Sequence, residues 1–299
     1  MTSGILRFGI SPAFIALVAT GLGAPVAPAQ QAGSPSGPEQ EAMRLDHAGA
    51  TSRARVIWQA LIDSAADPAA KARAERGMAI SYAFDGDCAS AGRFETLVIA
   101  YWATREAAEP QTAFFQEGEL ADEAARVCLD ANDVAAAEMW YHKGYERGTS
   151  EPTPQTHPRS LWDYRLAHAL GRIAARRGDS VEARRQIAAA RRALDGDSAM
   201  AAGQERFFPY LVGYAALYLH DLPVADTQLT RAIALRGNEH DPFLHCLLAM
   251  TYELEGRQAD AKAMYQTAYA LATGHNPPAA FVRPLVRKKL NLTEPDAGS

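Results

Sequence analysis

Apolar and small residues recur at spacings of three and four along most of the chain, with short polar breaks between the runs. The runs predict helices near 38–48 and 51–65. Helix pairs follow at 69–84 with 88–107, 112–130 with 134–147, 160–177 with 180–195, 204–219 with 222–236, and 241–255 with 258–273. NPPAAFVRPLVRKKL adds a last helix near 278–290, basic on one side and apolar through Phe281, Leu285 and Leu290. Between residues 146 and 160, ERGTSEPTPQTHPRS is the one long internal loop. Hydrophobic residues make up 48% of the chain, but alanine supplies much of that and aromatics only 8%. Such a mixture favours close-packed helices over sheets.

The alanines are not scattered. In YELEGRQADAKAMYQTAYA and the residue run before it, Ala249, Tyr252, Gly256, Ala261, Tyr265 and Ala268 fall three, four, five, four and three residues apart. The same ruler fits Ala79, Tyr82, Gly86, Ala91, Glu95 and Val98, and again Ala125, Cys128, Asn132, Ala137, Tyr141 and Gly144. It also fits Gly171, Ala174, Gly178, Ala183, Ile187 and Ala190, and Gly213, Ala216, His220, Ala225, Leu229 and Ala232. A half-copy, Ala54, Trp58 and Leu61, precedes these five segments. Small residues late in one helix and early in the next let two antiparallel backbones approach closely. The glycine between them ends the first helix in a left-handed turn. Asp87, Asp133, Asp179 and Asp221 follow those turns and are placed to cap the second helices.

This pattern resembles the tetratricopeptide repeat family, whose unit is an antiparallel helix pair of about 34 residues. The resemblance covers roughly residues 50 to 275, and Pro242–His275 is its best single match. Unit starts near 72, 118, 164, 206 and 242 leave extra residues between copies, a departure from the family. The early signature Trp-Leu pair is missing from most copies. The resemblance implies an all-α, right-handed α-solenoid of about five repeats over residues 42–290, with capping helices at both ends. It also implies a concave face lined by the first helix of each pair, where a protein or peptide would bind.

Carried onto that face, the fourth pair offers Phe207, Tyr210, Tyr214, Leu217 and Tyr218, and the third offers Arg165, His168, Arg172 and Arg176. Aromatic contact area beside guanidinium groups suits an acidic partner or one ending in a free carboxylate. The aromatic stripe fits equally well as a face buried against a neighbouring helix or the C-terminal cap. The family's dicarboxylate clamp uses Lys and Asn at set positions. This chain has Arg, His and Tyr there, so that function does not carry over. The fifth pair adds Phe243, Cys246, Met250 and Leu254.

The first 29 residues read as an export signal: one charge, Arg7, an apolar stretch, then Ala27-Pro28-Ala29. Residues 30–41 read as a flexible spacer and 291–299 as a disordered tail. Without the signal, 29 basic residues oppose 35 acidic ones, and a net charge near −6 excludes general nucleic-acid binding. No other apolar segment is long enough to span a membrane. The three cysteines do not form a disulfide framework. Small buried thiols are the plain reading, and Cys88 with Cys128 is the pair to test in an exported chain.

Catalytic signatures are missing. There is no HExxH, GxSxG, GxxxxGK[ST] or GxGxxG, and Gly86 in DGD lacks the acids of a calcium loop. His240, Asp241 and His245 read as capping and surface residues rather than a metal site. Acid pairs such as Asp122-Glu123 read as helix surface with no apolar pocket behind them. The expectation is an exported, non-enzymatic scaffold without cofactor or metal, serving envelope assembly or maintenance. A periplasmic helical-repeat enzyme, or a module for a small ligand or glycan, is the alternative.

Overall fold

The computed structural model describes residues 37–292, so the expected export signal and all but the first two residues of the expected tail lie outside it. Among the described residues the chain is all-α, with no strand. Helix α1 (Gly37–Ala48) pairs with α2 (Thr51–Asp63), α3 (Pro68–Phe84) with α4 (Cys88–Ala103), and α5 (Pro110–Asp130) with α6 (Val134–Thr149). Helix α7 (Arg159–Arg176) pairs with α8 (Ser180–Gly196). Then come α9 (Ser198–Gln204) and a 3-10 turn (Glu205–Phe207). Two more pairs follow, α10 (Phe208–Tyr218) with α11 (Leu222–Ala234) and α12 (Pro242–Leu254) with α13 (Gln258–Leu271), and the last helix is α14 (Pro277–Leu290).

Every turn that the spacing rule marks has the same geometry. Gly86, Asn132, Gly178, His220 and Gly256 have φ of 68°, 66°, 74°, 60° and 78°. The next residue's N–H reaches back five positions in all five: Asp87 to Tyr82, Asp133 to Cys128, Asp179 to Ala174, Asp221 to Ala216 and Arg257 to Tyr252. The turn residue itself bonds three back, for example Gly86 to Ala83. These two bonds satisfy carbonyls that the helix end would otherwise orphan. Asp87, Asp133 and Asp179 cap the following helices, accepting from Ser90, Ala136 and Glu182 at 3.0, 3.0 and 2.9 Å. Asp221 makes no such side-chain bond. Pro223, in that first turn, removes one of the free donors a cap would use.

The half-copy has its missing front. Ala42, Leu45 and Gly49 supply it, and Ala50 bonds back to Leu45 through the same turn. Helix α1 therefore starts at Gly37, and residues 37–41 are helical where the spacer was expected. Pro38 sits in the first turn, where its fixed φ suits a helix start. The long helix expected from 204 is also broken. Pro209 has no N–H to bond back to Glu205, so the chain turns through 205–207 and restarts at Phe208, with Pro209 in the first turn of α10 where the missing donor costs nothing.

The small positions do what their spacing demands. Ala79, Ala91, Ala125, Ala137, Ala183, Ala225, Ala249, Ala261 and Ala268 are buried, as are Gly171 and Gly213, while Tyr141 and Tyr265 fill the core beside them. Tyr82 and Tyr252 are half-buried. A methyl on Gly213 would come 2.8 Å from Leu229 Cγ, so α10 and α11 sit as near as backbones allow. The Trp162 indole lies against Gly118 and Gly148 and leaves no room for a side chain on either. Cys88 and Cys128 form a disulfide, with Cα atoms 4.7 Å apart, that ties the start of α4 to the end of α5. The plain reading of buried thiols holds only for Cys246.

The two ends of the described chain meet. Helix α14 packs on α3, α5, α12 and α13, with Val282 and Val286 buried in a cluster that includes Ile80, Phe84, Val127 and Cys246. Arg283 donates from Nε to the His47 carbonyl (2.9 Å) and from a terminal nitrogen to Ala272 (3.0 Å). At the same junction the carboxylate of Asp46, 0% exposed, accepts from Trp58 Nε1 (3.1 Å), Ser81 Oγ (2.6 Å) and His275 Nε2 (2.9 Å). Asp46→Ala strands three buried donors from α2, α3 and the α13–α14 connection. The expected loss is about 3–5 kcal/mol, read by calorimetry as a fall in Tm on the order of 10 °C. A change within about 2 °C would show that the three donors find other partners.

Candidate functional site

The face of each pair's first helix is set by the same offsets from the spacing rule. Six and three residues before the first small position, and one and five after it, give Arg165, His168, Arg172 and Arg176 on α7 and Phe207, Tyr210, Tyr214 and Tyr218 on and before α10. On α5 these offsets select Glu119, Asp122, Arg126 and Asp130. All four α5 residues line one cavity of about 380 Å³, together with Arg165, His168, Arg172, Phe207 and Tyr210. Phe243 on α12, Pro277 and Pro278 at the start of α14, and Tyr141, Tyr164, Gln204, Arg206 and Asp241 complete the wall. Its size falls at the small end of the range that takes small organic ligands.

The sequence-expected groove residues divide into two groups. Arg165 pairs with Glu119, and its guanidinium lies over Trp162 at 4.9 Å from the ring centre. Arg172, only 6% exposed, donates to Tyr141 Oη at 2.8 Å and Tyr210 Oη at 3.0 Å. Its Nε is buried with no partner. Neutral His168 donates from Nε2 to the Phe207 carbonyl at 3.3 Å, and burial holds its pKa well below the usual imidazole value. Tyr210 and Phe243 meet edge to face, centroids 6.0 Å apart. The second group stands outside the cavity. Tyr214 is core, 1% exposed, because α7 and α12 both close on α10. Arg176 is tied to structure: it donates to Tyr218 Oη (2.8 Å), the Leu129 carbonyl (2.8 Å) and Asn132 (3.0 Å). Tyr218 and Arg176 thus hold α10, α7 and the α5 turn together.

The α5 charges correct the reading of Asp122 as plain helix surface. Asp122, Arg126 and Asp130 stand four residues apart on one face, where neighbouring side chains are within reach of one another. Among the described residues Arg126 nevertheless forms no ion pair or hydrogen bond, and neither aspartate has a hydrogen-bond partner. Burial raises the carboxyls of Asp122 and Asp130 to about 7, against the opposing pull of Arg165 and Arg126 on the first and of Arg172, Arg176 and Arg126 on the second. Arg126 is ringed by protein yet exposed to the cavity. Among the described residues, no three His, Cys, Asp or Glu side chains are grouped to hold a metal ion. Asp241 caps α12 through Phe243 N at 2.8 Å, and His245 Nε2 donates to the Glu239 carbonyl at 3.0 Å.

No protein-family model and no curated protein matches the chain. Among the described residues, no helix is long and apolar enough to cross a membrane.

The two aspartates give the fold a pH signature. Each keeps its proton to about pH 7 in the folded state, while the unfolded chain releases it near the ordinary Asp value of about 3.9. The folded state therefore holds more protons between those limits, and this part of the stability falls as pH rises through them. Asp122→Asn and Asp130→Asn should raise Tm clearly at pH 8 and much less at pH 5. Equal shifts at both pH values would place the carboxyls in solvent.

Proposed function

We propose that the chain is an exported, non-enzymatic binding protein, built as a right-handed solenoid of tetratricopeptide-like repeats, that captures a small charged molecule in the cavity between α5, α7, α10 and α12. The observation that carries this reading is the unpaired Arg126 guanidinium inside a cavity of about 380 Å³. An exposed guanidinium that holds no internal bond is free to meet a counter-charge, and a ligand in the cavity supplies one when it binds.

Six turns with one hydrogen-bond pattern favour the repeat assignment. The Cys88–Cys128 disulfide suits an oxidising compartment and favours export to the periplasm or beyond, where a role in the cell envelope is the proposed setting. Helix α14 favours a small ligand over the protein or peptide partner that the repeat resemblance implies. It covers ground on α3, α5 and α12 that an extended peptide would need. What stays open is a chamber, with α14's own prolines at its edge.

A thermal-shift screen of small metabolites on the mature chain tests the reading. At a hundredfold excess over Kd a true ligand should raise Tm by about 5–10 °C. Arg126→Ala should abolish that shift while leaving the Tm of the free protein within about 2 °C, because the side chain holds no internal bond. Stabilisation that survives Arg126→Ala would put the ligand elsewhere.

A further inference from the structure

The charge pattern of the chamber, rather than its size, says what kind of molecule belongs there. A plain cavity for anions would gather guanidinium groups and exclude carboxylates. This one interleaves them. Along α5 the order is Asp122, Arg126, Asp130, an acid, a base and an acid on one helical stripe. Across from it Arg172 is held by two tyrosines, with only its buried Nε unused, and Arg165 is held by Glu119, so neither offers an open guanidinium face. Three groups on α5 are left without partners, and they differ in sign.

Unpaired opposite charges four residues apart on a helix ordinarily bond to each other, a gain of a few tenths of a kcal/mol. Here they do not, and each faces the cavity. Above pH 7, where both carboxyls are ionised, a simple anion set against Arg126 would lie beside two aspartates and be repelled. A simple cation between the aspartates would meet Arg126, with Arg172 behind it. A ligand carrying both signs, on atoms a few ångströms apart, gives Arg126 and one of the aspartates each an opposite partner. The rest of the wall mixes polar Gln204, Arg206 and Asp241 with the aromatic rings of Tyr210, Phe207 and Phe243. An apolar or aromatic body attached to the two charged groups would pack there.

We infer that the cavity takes a zwitterion, a free amino acid or very short peptide whose carboxylate is held by Arg126 and whose ammonium is held by Asp122 or Asp130, with a large apolar side chain against Tyr210 and Phe243. This inference rests on the cavity-binding reading above and narrows it to one chemical class. It also explains why the acids lie on the same stripe as the base. A helix presents groups at such separations in a fixed order, and the amino and carboxylate groups of one small molecule match that spacing.

The test is titration calorimetry at pH 8 on the mature protein with phenylalanine and the dipeptide Gly-Phe, beside N-acetyl-Gly-Phe, Gly-Phe amide, succinate, inorganic phosphate and glucose. Binding of phenylalanine or Gly-Phe, weakened tenfold or more by blocking either end, is the expected result. Arg126→Gln should then remove the penalty for amidation, and the double variant Asp122→Asn, Asp130→Asn should remove the penalty for acetylation. Neither change breaks an internal bond, so the variants should fold, and unchanged circular dichroism checks this. Blocked and free dipeptides binding alike would overturn the zwitterion. So would binding of succinate or phosphate alone, lost in Arg126→Gln, although the cavity reading would survive it. Heat from none of these probes, together with no hit in the metabolite screen, would remove the cavity reading itself.

Discussion

The closeness of paired helices is the constraint on which the rest of this structure depends. Two antiparallel helices touch along a line of glycine and alanine, so their backbones approach further than leucine would permit. The left-handed turn between them then has one short path, and five turns take it with the same two hydrogen bonds. The first helices of α5–α6, α7–α8 and α10–α11 bring residues at equivalent offsets towards one another, though 46 residues separate Arg165 from its partner Glu119 in sequence.

Nothing in the pairing itself joins α1 to the α13–α14 connection, and a separate device does so. Asp46 is wholly buried and receives donors from three elements. Arg283 links the α1 terminus to the last connection from the other side. With α14 held there, its apolar side covers the inner faces of α3, α5 and α12. The polar part of the inner wall stays uncovered and becomes the chamber. Apolar positions of the face thus serve packing, and charged ones are left for chemistry.

Much of this was legible in the sequence because it is local. Helix boundaries, the turn residues and the buried small positions follow from spacing and from glycine or asparagine at a left-handed position. Apart from the break at Pro209, the short α9 and the early start of α1 at Gly37, the errors came from long-range placement. Tyr214 and Tyr218 read as a stripe on one helix, but only the position of α7 and α12 decides that Tyr214 is core. Asp122 read as surface because a charge on a helix usually is. Its offset equals that of His168 and Tyr210, so the signal was present on α5. The depth of the chamber it faces was not, since that depends on where α14 lies. The Cys88–Cys128 bond sits between these cases: the pair was nameable, and its formation needed the α4–α5 approach.

The clasp between α1 and the α13–α14 connection spans 229 residues of sequence. In an open array each unit touches its neighbours alone, and the ends fray and re-form without the middle taking notice. A clasp of this length changes that statistical character. Its closure entropy is met once, late, when most pairs already stand, and it then makes each end answer for the other. Amide protons near Gly49 and near His275 would be expected to exchange through one shared opening event, as the two sides of a lock do, and the protein would melt as a single body.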